Sequence, residues 1–221
     1  MLQTADPLVY RGFLELTGRV NREYCTRQNI EYRAHLGILR GCHPWHATFN
    51  RIPLLRQLQA EGFSGWALYL DADAYVADLG FDIRAFLARR GHRAILGALG
   101  HNKALSDINA GVVFFNFAHP DTGFILEEWE RRFQAEVTEE MLAESAEGWS
   151  FSPNDQDLLQ SLLAEHLLRL WPAIGIEERS LFNAPKASFL RQILRRDAPG
   201  LAERMELARQ DIARIAPGLL A

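Results

Sequence analysis

The segment that decides the fold is residues 65–76, GWALYLDADAYV, in which a nearly continuous apolar run leads directly into Asp71 and Asp73. A short apolar run of this kind predicts a strand buried on both faces. Side chains alternate along an extended chain, so both carboxylates project to the same side with Ala72 between them. Two acids this close repel each other and lose hydration, and we expect a positive charge beside them to offset that cost.

Length and composition narrow the class of protein. A chain of 221 residues with 48% apolar residues can form one domain with a substantial core. The formal net charge of −4 argues against a nucleic-acid-binding protein, which would carry a basic face. Cys25 and Cys42 form no CxxC motif or disulfide framework, and we find no signal pattern or membrane span. We therefore predict a cytoplasmic protein that has no transmembrane segment but can touch a membrane peripherally.

Helical and extended segments alternate along the chain. Apolar spacing predicts helices within residues 8–33 (ending in a short strand at 30–32), at 49–60, 83–90 and 122–135, up to 168, and at 200–214. Strands are predicted at 66–70, 94–99 and 110–117. This alternation predicts one α/β domain over residues 1–221, with a mostly parallel central sheet flanked by helices and the last helix packed on it. Ligands of such sheets bind outside the carboxyl ends of the strands, where Asp71 and Asp73 lie.

Two carboxylates at a strand end can hold a hard divalent cation. Mg²⁺ or Mn²⁺ typically takes one or two protein carboxylates, and substrate phosphates complete its octahedron. The alternative is a solvated turn, because Asp is common where strands stop. The buried strand before Asp71 and Asp73 favours the metal site.

Further motifs occur in the order used by one enzyme family. They are NREYC at 21–25 with IEY at 30–32, HPWHATFNRI at 43–52, WALYLDAD at 66–73, NAGV at 109–112 and NDQ at 154–156. Together they resemble the GT-A glycosyltransferases, and more narrowly the retaining family of fungal α-galactosyltransferases, plant xyloglucan xylosyltransferases and soluble bacterial relatives. The resemblance implies a GT-A fold and transfer, with retention, of a galactose-, glucose- or xylose-type sugar from a UDP-sugar. The acceptor would be a hydroxyl of a glycan, a lipid-linked molecule or a small molecule.

The resemblance also implies roles for individual residues. Asp71 and Asp73 of the DXD motif would hold Mn²⁺ (or Mg²⁺) against the diphosphate, whose departure the metal assists as a Lewis acid. Gly111 would let the backbone approach the donor sugar. The full set of residues implied at the donor is Thr4, Ala5 and Asp6 at uracil and ribose, Arg51 as a cation near the nucleotide, Asp71, Ala72 and Asp73 at the metal, and Asn109, Ala110 and Gly111 beside the sugar.

The segment SPNDQ at residues 152–156 has two explanations that can both hold. Ser152 as N-cap, Pro153 in the first helical position and Asp155 in the third make a sound helix start. By resemblance, Asp155 or Gln156 would lie under the anomeric carbon and stabilise its positive charge, while the leaving phosphate takes the acceptor's proton. Asn154 stands where the family has an Asp.

The chain departs from the family near its C-terminus, where relatives supply a metal-binding His and then a Lys or Arg on the diphosphate. His166, in an apolar helical segment, is expected to be structural or exposed. Water, a backbone carbonyl or the Gln192 amide would then fill that position around the metal. The candidate diphosphate cations are Lys186, Arg191 and Arg195, although a solvated helix face better explains Arg195 and Arg196.

Other polar and aromatic residues are weaker candidates. His43 and His46 either contact nucleotide or acceptor or pack around Trp45. The loop residues His101, Asn102 and Lys103 are candidate donor or acceptor contacts, and Trp149 and Phe151 form either a sugar platform or part of the core or a lid.

Two other functions fit parts of the sequence. An Asp-nucleophile phosphatase-like hydrolase would use Asp71 to attack phosphorus and Asp73 as acid, but its motif normally opens the chain. A non-catalytic nucleotide-sugar-binding protein is consistent with Asn154 and with the missing histidine.

Overall fold

A computed structural model describes residues 1–100, 104–145 and 152–220. Its strands are β1 (Leu2–Ala5), β2 (Arg33–Leu36), β3 (Trp66–Asp71), β4 (Ala74–Val76), β5 (Ile95–Leu99), β6 (Ile108–Asn116), β7 (Ile174–Glu177), β8 (Phe182–Ala184) and β9 (Leu190–Gln192). Its helices are α1 (Arg11–Arg27), α2 (Arg51–Ala60), α3 (Ile83–Ala88), α4 (Pro120–Glu136), α5 (Glu139–Glu144), α6 (Asp155–Glu165), α7 (Leu167–Leu170) and α8 (Leu201–Ile215). Short 3₁₀ helices occur at Pro44–Asn50, Trp171–Ala173 and Pro217–Leu219.

The central sheet has six strands in the order β2-β1-β3-β6-β5-β7. Strand β6 runs antiparallel to its neighbours β3 and β5, and the remaining pairs are parallel. The predicted mostly parallel α/β sheet is therefore confirmed. Thr4 pairs with Asp71 in the β1–β3 ladder, so the carboxyl ends of these two strands meet at one edge of the sheet.

Strand β3 is buried on both faces, as its apolar run predicts. Ala67 and Tyr69 join the cluster packed under α2, α4 and α6, whereas Leu68 and Leu70 join the cluster on the opposite face. Full burial of one leucine side chain stabilises the fold by about 1.5–3 kcal/mol. The strand is therefore a rigid support for the acids that follow it.

A second sheet, in the order β4-β9-β8, was not predicted. Ala74 of β4 pairs with Gln192 of β9, which places the C-terminal segment beside the two aspartates. The prediction that Arg195 and Arg196 lie on a helix face is wrong, because both lie in a turn after β9. Leu190 and Gln192 are buried with Arg191 between them, a period of two that favours a strand.

Several predicted boundaries also need correction. The strand expected at 30–32 begins at Arg33, and Thr4 and Ala5 lie within β1. Strand β7 was not predicted. Helix α8 was predicted, and its Ala208 and Ile212 pack with Phe13 of α1 in one buried cluster. Across the described residues, no helix is long and apolar enough to cross a bilayer.

Candidate functional site

A cavity of about 450 Å³ opens at the carboxyl ends of β1 and β3, and a smaller one of about 220 Å³ adjoins it. The two cavities share a wall formed by Thr48, Asp71, Asn109, Gln156, Gln192 and Leu194. The larger cavity also contacts Thr4, Ala5, Asp6, Tyr10, Ala72, Asp73, Arg195, Arg196 and Arg204. The smaller cavity also contacts Arg51, Ala110, Gly111, Asn154 and Asp155. Most residues that the sequence placed at the donor are therefore brought together.

Buried amides of β1 and α1 fix the turn that carries the two aspartates. Gln3 Nε2 donates to the carbonyl oxygens of Asp71, Ala72 and Ala74 at 3.0, 3.3 and 3.1 Å. Asn21 Nδ2 donates to the Ala74 carbonyl and to Gln3 Oε1, each at 3.1 Å. Buried polar groups require such partners, and a fully connected network holds one backbone conformation. The direction of both carboxylates is therefore set before any ligand arrives.

Arg51 lies between the first aspartate of the DXD motif and Asp155. Its Nη2 donates to Asp71 Oδ1 at 2.7 Å, and its Nε lies 2.9 Å from Asp155 Oδ2, an ion pair without hydrogen-bond geometry. A further hydrogen bond reaches the Ala110 carbonyl, and the guanidinium lies 4.4 Å from the Tyr69 ring centroid. With 3% of its surface exposed, Arg51 joins the DXD turn to Asp155 at the wall of the smaller cavity, and its predicted approach to the nucleotide stays a prediction.

Asp155 is buried, and its carboxylate faces the smaller cavity rather than capping a helix. Thr48 donates a hydrogen bond to Oδ1, and Arg51 pairs with Oδ2. Burial raises the pKa of Asp155, while Arg51 acts in the opposite direction. The side chain is therefore an acid held beside a cation, in a place where it can face a ligand.

The cap of helix α6 differs from the predicted one. Asn154, not Ser152, is the N-cap, since its side chain accepts from Asp157 N at 3.0 Å and Asp157 Oδ2 accepts from Asn154 N at 3.1 Å. Asp155 occupies the first helical position and has no part in this capping box. The capping role of Asn154 explains why an amide is suitable at this position.

Gln192 and Arg204 surround the second aspartate. Gln192 Nε2 lies 2.8 Å from Asp73 Oδ1 and 3.2 Å from Asp71 Oδ2, and Arg204 Nη1 donates to Asp73 Oδ2 at 2.8 Å. Burial, followed by repulsion from Asp71, raises the pKa of Asp73 to about 6 in spite of these two partners. Arg51 and Arg204 are thus the positive charges that the sequence led us to expect beside the acids.

The residues at the DXD turn fit a divalent cation. Carboxylate oxygens of Asp71 and Asp73 converge on one nitrogen of Gln192, and Gln192 Oε1 is buried without a hydrogen-bond partner among the described residues. A Cβ at Gly111 would lie 2.6 Å from Gln192 Oε1 and 2.7 Å from Asp71 Oδ2, so only glycine leaves this space open. The oxygen atoms of Asp71, Asp73 and Gln192 are hard ligands, the type that Mg²⁺ and Mn²⁺ prefer. Within the described ranges no group of three His, Cys, Asp or Glu side chains could hold a metal.

Asp6, directly after β1, and Gln156 of α6 form further parts of the cavity walls. Asp6 accepts from the backbone amides of Leu8, Val9 and Tyr10 at 2.8, 2.6 and 3.0 Å, so its carboxylate shapes the loop before α1 while facing the cavity. Gln156 Oε1 accepts from Ala110 N at 2.9 Å. This bond fixes the side chain of Gln156 against β6.

Of the three candidate diphosphate cations in the described part of the chain, only Arg195 lines a cavity of the site. Among the described residues that line the cavities, neither Lys186 nor Arg191 is present. Lys186 is exposed, and Arg191 pairs with Asp211 at 2.6 Å. Cationic side chains at the cavity wall come instead from the turn after β9 and from α8, namely Arg195, Arg196 and Arg204.

Sequence reasoning missed Arg204, although a signal was present. Arg204 shares one face of α8 with Ala208 and Ile212, at helical spacing. A charged residue on an otherwise apolar helix face indicates a buried partner. The Gln192 amide, named above as one candidate for the position of the missing histidine, lies beside both aspartates.

The weaker candidates have structural positions or lie outside the described residues. His46 is buried with its ring 4.2 Å from that of Trp45, and burial lowers its pKa to about 4. Its Nδ1 accepts the amide hydrogens of Cys42 and His43, which agrees with packing around Trp45. His166 follows α6 and packs edge-on against Phe124. The residues outside the described ranges are His101, Asn102, Lys103, Trp149 and Phe151.

Solved structures with a similar fold are glycosyltransferases. A glycosyltransferase involved in the glycosylation of the major capsid of PBCV-1 matches with a TM-score of 0.66 and 18% identity, over 95% of this chain and 98% of that one. The glycosyltransferase GlyE of Streptococcus pneumoniae TIGR4 matches with a TM-score of 0.54 and 15% identity, over 97% of this chain and 62% of GlyE. The apo form of GlyE matches with a TM-score of 0.54 and 13% identity, over 97% of this chain and 61% of that one. The chain thus spans about three-fifths of GlyE.

The likeness confirms the predicted fold class: this chain has a glycosyltransferase fold of the GT-A type. No protein-family model and no curated protein matches it. The narrower resemblance to fungal and plant enzymes stays a prediction.

Proposed function

We propose that this protein is a metal-dependent glycosyltransferase that moves a sugar from a UDP-sugar to a hydroxyl acceptor with retention of configuration. The observation that carries the proposal is the convergence of Asp71 and Asp73 on one buried point at the cavity wall, within a glycosyltransferase fold. The phosphatase alternative gains no support from the comparisons, because the matching structures are glycosyltransferases.

The divalent cation, Mn²⁺ or Mg²⁺, would be held by Asp71 and Asp73, where it would supply Lewis-acid stabilisation of the departing diphosphate. The charges of the site suit this arrangement. Asp71, Asp73 and Asp155 are balanced by Arg51 and Arg204, which leaves one net negative charge on these side chains. A site that is nearly neutral before loading can accept a cation together with the diphosphate it neutralises.

The nucleotide would occupy the larger cavity. Thr4, Ala5 and Asp6 line it at the end of β1, and Ala72 lines it between the two aspartates. Asn109, whose Oδ1 accepts from Gly111 N at 2.8 Å, lies where the two cavities meet. The sugar would therefore extend from the DXD turn into the smaller cavity.

Asp155 and Gln156 would face the anomeric carbon from the start of α6. Both side chains are fixed, Asp155 by Thr48 and Arg51 and Gln156 by the Ala110 amide. Oxygen atoms positioned in advance stabilise developing positive charge without reorganising during the reaction. The leaving phosphate would take the proton of the acceptor hydroxyl, so no separate general base is required.

Release of UDP tests the proposal. The protein is incubated with UDP-galactose, UDP-glucose, UDP-xylose or UDP-GlcNAc, with Mn²⁺ or with a chelator. We expect Mn²⁺-dependent release from one donor, and the anomeric configuration of the product, read by NMR, should match that of the donor. Mn²⁺-dependent binding of UDP without release from any donor would instead identify a non-catalytic nucleotide-sugar-binding protein. The absence of both binding and release would refute the proposal.

A further inference from the structure

Arg204 occupies an unusual position on the last helix. Its side chain lies on the buried face of α8, followed at helical spacing by Ala208 and Ile212, and only 3% of its surface is exposed. A guanidinium in such a place loses its hydration and persists only when other groups compensate its charge. Arg204 also lines the larger cavity.

One charged contact and one neutral contact hold this guanidinium. Nη1 donates to Asp73 Oδ2 at 2.8 Å, and Nη2 donates to the Tyr10 hydroxyl, also at 2.8 Å. The Nε atom is buried and has no hydrogen-bond partner among the described residues. Arg195 Nη2 donates to the same Tyr10 oxygen at 3.3 Å, so two cationic side chains meet at the wall of the larger cavity.

We propose that Arg204 is a counter-ion that can pass from Asp73 to the diphosphate, and that it thereby links cation binding at Asp73 to diphosphate binding. While the site is empty, Arg204 neutralises Asp73. When a bound cation neutralises Asp73, the guanidinium would be free to reorient towards the diphosphate while it keeps its hydrogen bond to the Tyr10 hydroxyl. This inference rests on the proposed function, because it assigns the diphosphate of that donor to Arg204.

The chemistry of the side chain supports this role. Guanidinium groups bind phosphate oxygens through two parallel hydrogen bonds, and Arg204 has an unused buried donor at Nε. A cation and a diphosphate that share Arg204 in this way bind cooperatively, and each raises the affinity for the other by the same factor.

Pyrophosphate binding in metal-free buffer with a chelator tests the inference. Asp73→Asn withdraws the charge that Arg204 neutralises and so imitates the occupied site. By titration calorimetry, we expect this variant to bind pyrophosphate at least about tenfold more tightly than the wild type, because charge-assisted hydrogen bonds become available. The gain should disappear in Asp73→Asn/Arg204→Met.

Two matched controls separate this effect from general electrostatics. Asp71→Asn removes the same charge but leaves Arg204 paired with Asp73, so it should not give the gain. Asp73→Asn/Arg209→Met has the same net charge as the double variant above, and it should keep the gain, since Arg209 is an exposed residue of α8 paired with Glu206. An equal gain in Asp71→Asn, or a gain that survives Arg204→Met, would overturn the inference.

The result of this test can be distinguished from misfolding of a variant and from failure of the proposed function. If the Arg204→Met double variant does not fold, the comparison of Asp73→Asn with Asp71→Asn still decides. The experiment contains no metal and no nucleotide. A wild-type protein that fails to bind UDP with Mn²⁺ would refute the proposed function, whereas the comparison of pyrophosphate binding between the variants reports on Arg204.

Discussion

Arg51 donates from Nη2 to Asp71 Oδ1 at 2.7 Å, while its Nε lies 2.9 Å from Asp155 Oδ2. One buried cation thus connects the DXD turn after β3 with the first residue of α6. Because each acid is held by the same guanidinium, the distance between the proposed metal site and the proposed anomeric-carbon site is fixed by Arg51.

Replacement of Arg51 is expected to impair both stability and ligand binding. Arg51→Met leaves the buried carboxylate of Asp155 and the partly exposed carboxylate of Asp71 without their cation, which should lower the free energy of unfolding by about 3–5 kcal/mol. Urea unfolding measures the first effect, and calorimetry with UDP and Mn²⁺ measures the second. Arg56→Met is the matched control, since Arg56 lies on the same helix with a more exposed side chain. Equal effects of the two substitutions would contradict the role given to Arg51.

Gln192 should tune the affinity of the site for cations. Gln192→Glu adds a carboxylate beside Asp71 and Asp73 and should increase Mn²⁺ affinity, because oxygen anions are the preferred ligands. Gln192→Leu removes the amide and should decrease it. Mn²⁺ binding followed by electron paramagnetic resonance provides the measurement without any turnover. The account of this site would be refuted if both variants bound Mn²⁺ as the wild type does.

Gly111 should tolerate no side chain. A Cβ there would come within 2.7 Å of Gln192 Oε1 and Asp71 Oδ2, so Gly111→Ala must displace at least one of them. We expect a loss of Mn²⁺-dependent UDP affinity, measured by calorimetry. Gly218→Ala serves as the control because no atom lies within 4 Å of the added Cβ. Retained affinity in Gly111→Ala would show that the close approach has no role in binding.

The raised pKa of Asp73 predicts opposite effects of pH on stability and on metal binding. Its folded-state pKa of about 6 lies above the ordinary value of 3.8, so the stabilisation linked to this group is full below 3.8 and is lost as pH rises through about 6. In metal-free buffer, the wild type should therefore lose stability relative to Asp73→Asn as pH rises from 3.8 to about 6. Mn²⁺ affinity should fall as pH decreases through about 6, because protons compete for the carboxylate. Chemical unfolding at several pH values, compared between the two proteins, provides the test, and parallel profiles would contradict it.

Asn154 is expected to act through the helix alone. Asn154→Ala removes the N-cap of α6 and should cost about 1 kcal/mol of stability. Asn154→Asp keeps an N-cap oxygen and adds a charge that the helix start favours, so it should fold at least as well as the wild type. Thermal unfolding measures both variants. A large gain of transferase activity in Asn154→Asp would instead show that the family's Asp has a chemical role here.

The buried strand and the acids after it could be predicted because their signal is local. The apolar run of β3 and the alternation at Asp71 and Asp73 lie within twelve adjacent residues, 65–76. Gln192 and Arg204 reach Asp73 across 119 and 131 positions of sequence, a relation that no periodicity can indicate.

Short elements and shifted caps account for the other differences. Strands β4, β8 and β9 have three residues each, too few to establish a pattern. The start of α6 was predicted two residues early, because Ser152 and Asn154 are both suitable N-caps. Tertiary contacts of Asp155 with Arg51 and Thr48 decide between them.

Thermal unfolding with UDP, with and without Mn²⁺, tests most directly whether Asp71 and Asp73 hold a cation against the diphosphate. We predict that UDP raises the melting temperature of the wild type only when Mn²⁺ is present, and that Asp73→Ala abolishes the part of the increase that depends on Mn²⁺. A Mn²⁺-dependent increase that persists unchanged in Asp73→Ala, or an increase in the wild type that requires no Mn²⁺, would contradict the central claim.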